Sequence, residues 1–325
     1  LNLMGKTSYT NWVEMTSQFL DREEGVVKDK TGKKEKLLLS ELFHKIRGQD
    51  KALRDSAAKE INRIMKKHAD TAEHELNAVL EYKKINDDLR KFKRPDEQRL
   101  IGGEIDAQIV DTLTKAVTKR ADISKNYYRL KAQLLGQKKL RYHERVVDLG
   151  SIDLNFTYKE AVDLVYKTLN RLDGEFGEIF KDFIENGHID AFPAKGKTSG
   201  AFCTYNGKNS PIFILLNFMG KINDLTTIAH ETGHGIHDHL SQTHQPSVYR
   251  EPSLFTAEIA STFMENFASE EAVKNIDDES KLWLLMGKID DAVSTIIRQI
   301  HCYTFETELH NAFRERGYLS KKCIG

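Results

Sequence analysis

The sequence predicts a mainly α protein with one small β-hairpin, and three observations carry that prediction. Only five prolines occur in 325 residues, and Pro95 is the only one before Pro193. Long stretches are therefore free of the residue that most disrupts helices. Apolar residues recur at helical spacing over most of the chain. Strand-type composition is confined to one short region after residue 191. We divide the chain accordingly into a helical lobe, 1–190, and a second region, 191–325.

The elements follow in order. From Lys51 to Leu89 the apolar positions Leu53, Ala57, Ile61, Ile64, Leu76, Val79 and Leu80 are spaced for helices. Ile109, Leu113, Val117, Ile123, Tyr127 and Leu130 repeat the pattern between Ile105 and Leu135. These segments predict a stack of antiparallel helices whose Lys/Glu runs are solvated faces. The character changes near Phe192-Pro193. Gly200 to Tyr205 predicts a short strand, Asn206-Gly207 a turn, and Pro211 to Phe218 a second strand. Helical periodicity returns after Asn223 and runs to about Arg314.

Composition excludes several function classes. Lys+Arg and Asp+Glu both number 49, giving zero net charge, which argues against a general nucleic-acid binder. No apolar run exceeds five residues, the length of Ile212 to Leu216. That is far short of the ~20 needed to cross a bilayer, so no membrane partner is expected. Cys203, Cys302 and Cys323 are odd in number and widely separated. They form no disulfide framework, and a cytoplasmic location is the expectation.

The chemistry is concentrated in one histidine cluster. Five of the twelve histidines fall between His230 and His244, and His230-Glu231-Thr232-Gly233-His234 is an H-E-x-x-H sequence. On a helix, residues i and i+4 share a face, so two imidazoles can grip one zinc ion. Glu231 is turned about a quarter-circle away. It cannot join the histidines as a ligand, but it can act as general base on a water. Leu225, Ile228, Ala229, Ile236 and Leu240 form one apolar stripe of this helix, and His230, His234 and His237 lie opposite it. Gly233 costs about 1 kcal/mol of helix propensity, which predicts a close backbone approach there.

A catalytic zinc keeps three protein ligands and one open position. The next helix, expected from Glu251-Pro252-Ser253, carries Phe255, Ile259, Phe263 and Phe267 on one stripe and Glu258 and Glu265 on another. A carboxylate on an otherwise small or apolar stripe is costly to bury without a cation. This nominates Glu258 as third ligand and Glu265 as the group that orients a ligand histidine. His237 is a further candidate for substrate contact. The strand beginning at Gly200 and Ala201 is a candidate for pairing with an extended peptide.

These segments together resemble oligoendopeptidase F, of the thimet-oligopeptidase family of zinc peptidases. The resemblance is carried by Lys197 to Cys203, by Ile214 to Phe218, by the H-E-x-x-H helix and by Phe255 to Ser261, in that order. It extends to Tyr127-Tyr128-Arg129-Leu130-Lys131, Leu134-Leu135-Gly136 and Phe305-Glu306. It implies a multi-helix zincin-like peptidase domain, one zinc ion held by His230, His234 and Glu258, Glu231 as catalytic base, and short peptides as substrates. Members of that family are several hundred residues longer. They begin before the region matching Leu1 and continue past the region matching Gly325, so the chain is expected to lack their N-terminal region and their C-terminal tail, the latter carrying oxyanion donors that His301 and Tyr303 do not match in position. Two alternatives stand beside the peptidase. One is a zinc-binding but catalytically weak or inactive relative, which holds metal but leaves peptides uncut. The other is a helical interaction protein, which holds no stoichiometric metal.

Overall fold

A computed structural model describes residues 5–147, 149–150, 155–194, 197–198, 200–207, 210–250, 252–253, 255–274 and 276–324. It is dominated by helices, as expected. The chain forms two compact units, residues 1–151 with 283–325, and residues 152–282. The first is assembled from both ends of the chain, and its boundary falls near residue 151, where the sequence reading drew a division at 190.

In the first unit, α1 (Asn11–Asp21) is followed by a hairpin of β1 (Glu24–Lys28) and β2 (Lys34–Leu38), antiparallel with Val26 opposite Lys36. This hairpin was not expected in a lobe read as helical. Its turn is set by Asp29, whose Oδ1 accepts from the N–H groups of Thr31 and Lys33 at 2.8 and 3.0 Å, and by Gly32 at φ +84°. Val27, Leu37, Leu39, Leu42, Ala57 and Ile64 then close a small core beneath it.

The helices α2 (Leu39–Lys45), α3 (Lys51–Lys67), α4 (Ala69–Arg90), α5 (Glu97–Gly102), α6 (Ala107–Thr118) and α7 (Asp122–Leu134) follow. The periodic segment 51–89 is thus two helices, broken at His68. Asp50 caps α3 by accepting from Ala52 and Leu53 N–H. Buried charges, Lys131 and Glu144 among them, brace this unit. Lys131 is 1% exposed and donates to the Arg145 carbonyl at 2.7 Å and to Asp290 at 3.2 Å. Glu144 is fully buried. Burial alone would raise its carboxyl, but the Arg141 N–H, the Gln137 amide and the Lys51 ammonium hold it at about 2.

The second unit contains α8 (Tyr158–Leu172), α9 (Gly174–Glu185), a three-stranded sheet, α10 (Ile222–His244) and α11 (Ala257–Ala272). The expected hairpin is β4 (Phe202–Thr204) with β5 (Phe213–Leu215), antiparallel and in register Cys203 to Ile214. A third strand, β3 (Ile189–Asp190), pairs parallel with β5, so the order is β3-β5-β4. Ile214, Leu216 and Phe218 pack with Leu225, Ile228, Ala229 and Ile236 of α10 and with Phe180 and Phe183 of α9. The apolar stripe predicted for α10 is therefore the stripe that faces the core. Burying each such side chain contributes roughly 1.5–3 kcal/mol, which fixes the opposite, histidine-bearing face.

One expectation about α11 is corrected. The helix begins at Ala257, not at residue 251. Glu251 lies outside the described residues, and the Ser253 carbonyl accepts from the Thr256 and Ala257 N–H groups, closing a turn before the helix proper. The Phe255, Ile259, Phe263 stripe is exposed, at 43, 63 and 48%, while Ser261, Met264 and Ala268 are buried. The face toward α10 is thus the face of small residues. The remaining helices are α12 (Asp278–Ala292), α13 (Gln299–Arg316) and α14 (Lys321–Ile324).

Candidate metal centre

α10 enters from Lys221, whose N–H, with that of Met219, is accepted by the Asp224 carboxylate at 2.8 and 3.0 Å. About three turns on, the crossing with α11 is very close. A Cβ on Gly233 would lie 2.6 Å from Ser261 Cα, 2.9 Å from Ser261 N and 2.7 Å from the Ala260 carbonyl oxygen. The expected backbone approach at Gly233 is therefore present, and its partner is the helix that carries Glu258. Gly233→Ala is expected to destabilise the fold by roughly 1–3 kcal/mol in urea titration despite alanine's better helix propensity. Gly287→Ala is the control: nothing lies within 4 Å of a Cβ there, and it should stabilise by about 1 kcal/mol.

This crossing brings His230, His234 and Glu258 together. Glu258 Oε2 is 3.3 Å from His230 Nε2 and 3.4 Å from His234 Nε2. The imidazole centroids are 5.0 Å apart at 78°. Donors at about 2.0–2.1 Å from a tetrahedral ion stand about 3.3–3.4 Å from one another, so these spacings fit a shared metal. Among the described residues, two groups of three side chains place donor atoms within 4.8 Å of one another, and this is one of them. The other, Asp55, His143 and Glu144, lies in the first unit. Lys51 Nζ sits 3.1 Å from both of its carboxylates and Arg54 3.5 Å from Glu144. Its charge is already met by cations, which makes it an ion-pair network.

The outer contacts orient the donors. His230 Nδ1 is 2.9 Å from Glu265 Oε2, which leaves Nε2 facing Glu258. That hydrogen bond raises the His230 pKa. Burial lowers that of His234, whose ring is also hydrogen-bonded to the Ala257 backbone. Glu231 is 7% exposed. Burial pushes its carboxyl up, and the neighbouring Glu258 adds to this, against His230 and a hydrogen bond from the Cys203 backbone. Glu258 itself is 63% exposed, so the burial-cost argument that nominated it does not apply; the separation of its oxygen from the two imidazoles does.

The remaining candidates fall around this centre. His237 is half-buried one turn after His234. The Gly200 carbonyl is engaged by Asn217 Nδ2 at 2.8 Å, and Ala201 packs on the core. Sequence reasoning missed Asn217, Ser261 and the Cys203 N–H. All three lie inside segments that carry the family resemblance, but their contacts depend on tertiary pairing. An open, mainly apolar cavity of about 890 Å³ in the first unit, lined by Leu80, Tyr128, Ile297 and Phe305 among others, carries none of the triad.

A helical unit that turns H-E-x-x-H toward a glutamate on the next helix, beside a small sheet, has a zincin-like peptidase fold. The chain belongs to peptidase family M3, whose model matches residues 46–324. It is 26% identical to oligopeptidase PepF of Bacillus subtilis over 300 residues, covering 92% of this chain and 45% of that protein. An oligoendopeptidase F homolog of Borreliella burgdorferi is 30% identical over 242 residues, with 72% and 40% covered. The crystal structure of oligoendopeptidase-F from Enterococcus faecium superposes with a TM-score of 0.68 at 18% identity, covering 97% of this chain and 50% of that one. A peptidase structure from Chlamydophila abortus gives 0.85 at 24% identity, with 98% and 53% covered. The chain spans about half the length of the curated relatives it matches.

Proposed function

We propose that this protein is a zinc-dependent oligopeptidase that hydrolyses internal bonds of short peptides. The observation that carries this reading is the convergence of His230 Nε2, His234 Nε2 and Glu258 Oε2 at spacings suited to one tetrahedral ion. These three residues would hold the zinc. A bound zinc supplies Lewis acidity and a water whose pKa is lowered to about 7. Glu231 takes the proton of the attacking water and delivers it to the leaving amine. Its burial suits this exchange, because a raised carboxyl pKa makes it a stronger base. Glu265 holds the His230 ring with Nε2 toward the centre.

Peptide binding falls to β4, which lies at one edge of the three-stranded sheet and hydrogen-bonds Glu231 through Cys203. An extended peptide added along this edge would be gripped through main-chain groups with little regard to sequence. Gly200 and Ala201 lead into that strand, and His237, one turn after His234, is a further candidate for substrate contact. The three cysteines are free thiols, in keeping with a reducing, cytoplasmic setting. No described helix is long and apolar enough to cross a membrane.

A second reading is a protein of the same family that holds zinc without cleaving peptides. One experiment separates the two. Cleavage of an internally quenched oligopeptide is expected from the zinc-loaded protein, to vanish on chelation and to return with added zinc. Stoichiometric zinc with the peptide uncut would favour the second reading.

A further inference from the structure

We propose that Ser261 is a positioning residue, whose hydroxyl fixes the Glu258 carboxylate toward His230 and His234 before any metal arrives. The proposal rests on the metal-centre reading above. Glu258 sits at the start of α11 with a side chain 63% exposed. A free glutamate there has three soft dihedrals, and ordering it costs rotamer entropy. Ser261, one turn later, is fully buried. Its Oγ donates to Glu258 Oε2 at 2.8 Å. That oxygen is the same one that faces both imidazoles. A carboxylate oxygen has two lone pairs, so accepting from Ser261 leaves one directed at the metal position.

The hydroxyl is not needed by the helix itself. The Glu258 carbonyl, 3.1 Å from Ser261 Oγ, already accepts from Thr262 Oγ1 at 2.6 Å. Ser261 also has a second task on its other side, since its Cα and N are the backbone atoms against which Gly233 rests. One residue therefore sets the distance between the two ligand-bearing helices and the direction of the third ligand. Serine meets both demands: its side chain is small enough for the crossing, and its hydroxyl can reach the carboxylate.

The test is a double-mutant cycle in the full chain, with zinc affinity read by competition against a chromophoric chelator. Ser261→Ala keeps the residue small and removes only the hydroxyl. It is expected to weaken zinc binding about tenfold. In a Glu258→Ala background the same change is expected to have no effect, because the group it acts through is gone. An equal loss in both backgrounds, or unchanged affinity in the single variant, would overturn the assignment. The metal-centre reading fails in a different way: wild type would bind no zinc, or Glu258→Ala alone would bind it as tightly as wild type.

Discussion

A Glu258→Ala variant is expected to bind zinc about 10²–10³-fold more weakly than wild type while keeping its helical content. Zinc held by four donors is worth about 10–16 kcal/mol, so one donor accounts for about 3–4 kcal/mol of affinity. The helices should survive the change. Glu258 is exposed, and the contact between α10 and α11 is made by Gly233, Ala260 and Ser261, with Met264 and Ala268 in the core. None of these needs the carboxylate. Far-UV circular dichroism and a chelator-competition titration on the same sample measure the two quantities. Loss of the fold would mean that Glu258 is structural, and unchanged affinity would remove it from the ligand set.

Glu231→Gln is expected to lower peptide hydrolysis by about 10²–10⁴-fold with zinc still bound. Glutamine matches glutamate in size, so a side chain that is 7% exposed should be replaced without a cavity. The amide can still accept the Cys203 N–H, but it cannot take a proton from water. The loss should therefore fall on turnover and not on zinc content. The measurement is single-turnover cleavage of a quenched oligopeptide beside elemental analysis of the same preparation. Undiminished turnover would defeat the assignment of Glu231 as base, and loss of zinc would make it a metal-site residue.

Much of this centre was legible in the sequence because its logic is local. His230 and His234 share a helix face by spacing alone, and the stripe from Leu225 to Ile236 tells which face turns inward. Gly233 signalled a close approach because a glycine in mid-helix is otherwise unfavourable. What Gly233 approaches was not legible, since Ser261 is distant in sequence. Other misses have the same origin. β1 and β2 escaped notice because Val26 and Val27 are flanked by Lys and Glu, which read as a solvated helix; the Asp29, Thr31, Gly32 turn was the available signal. β3 has two residues and exists only through its pairing with Ile214 and Leu215.

Zinc K-edge absorption spectroscopy of the metal-loaded chain tests the central claim most directly. Two imidazole nitrogens and light oxygen donors at about 2.0–2.1 Å, with no sulfur shell, are the expected result. A sulfur scatterer near 2.3 Å would move the metal to a cysteine, and a spectrum with fewer than two imidazoles would contradict the His230, His234 and Glu258 centre.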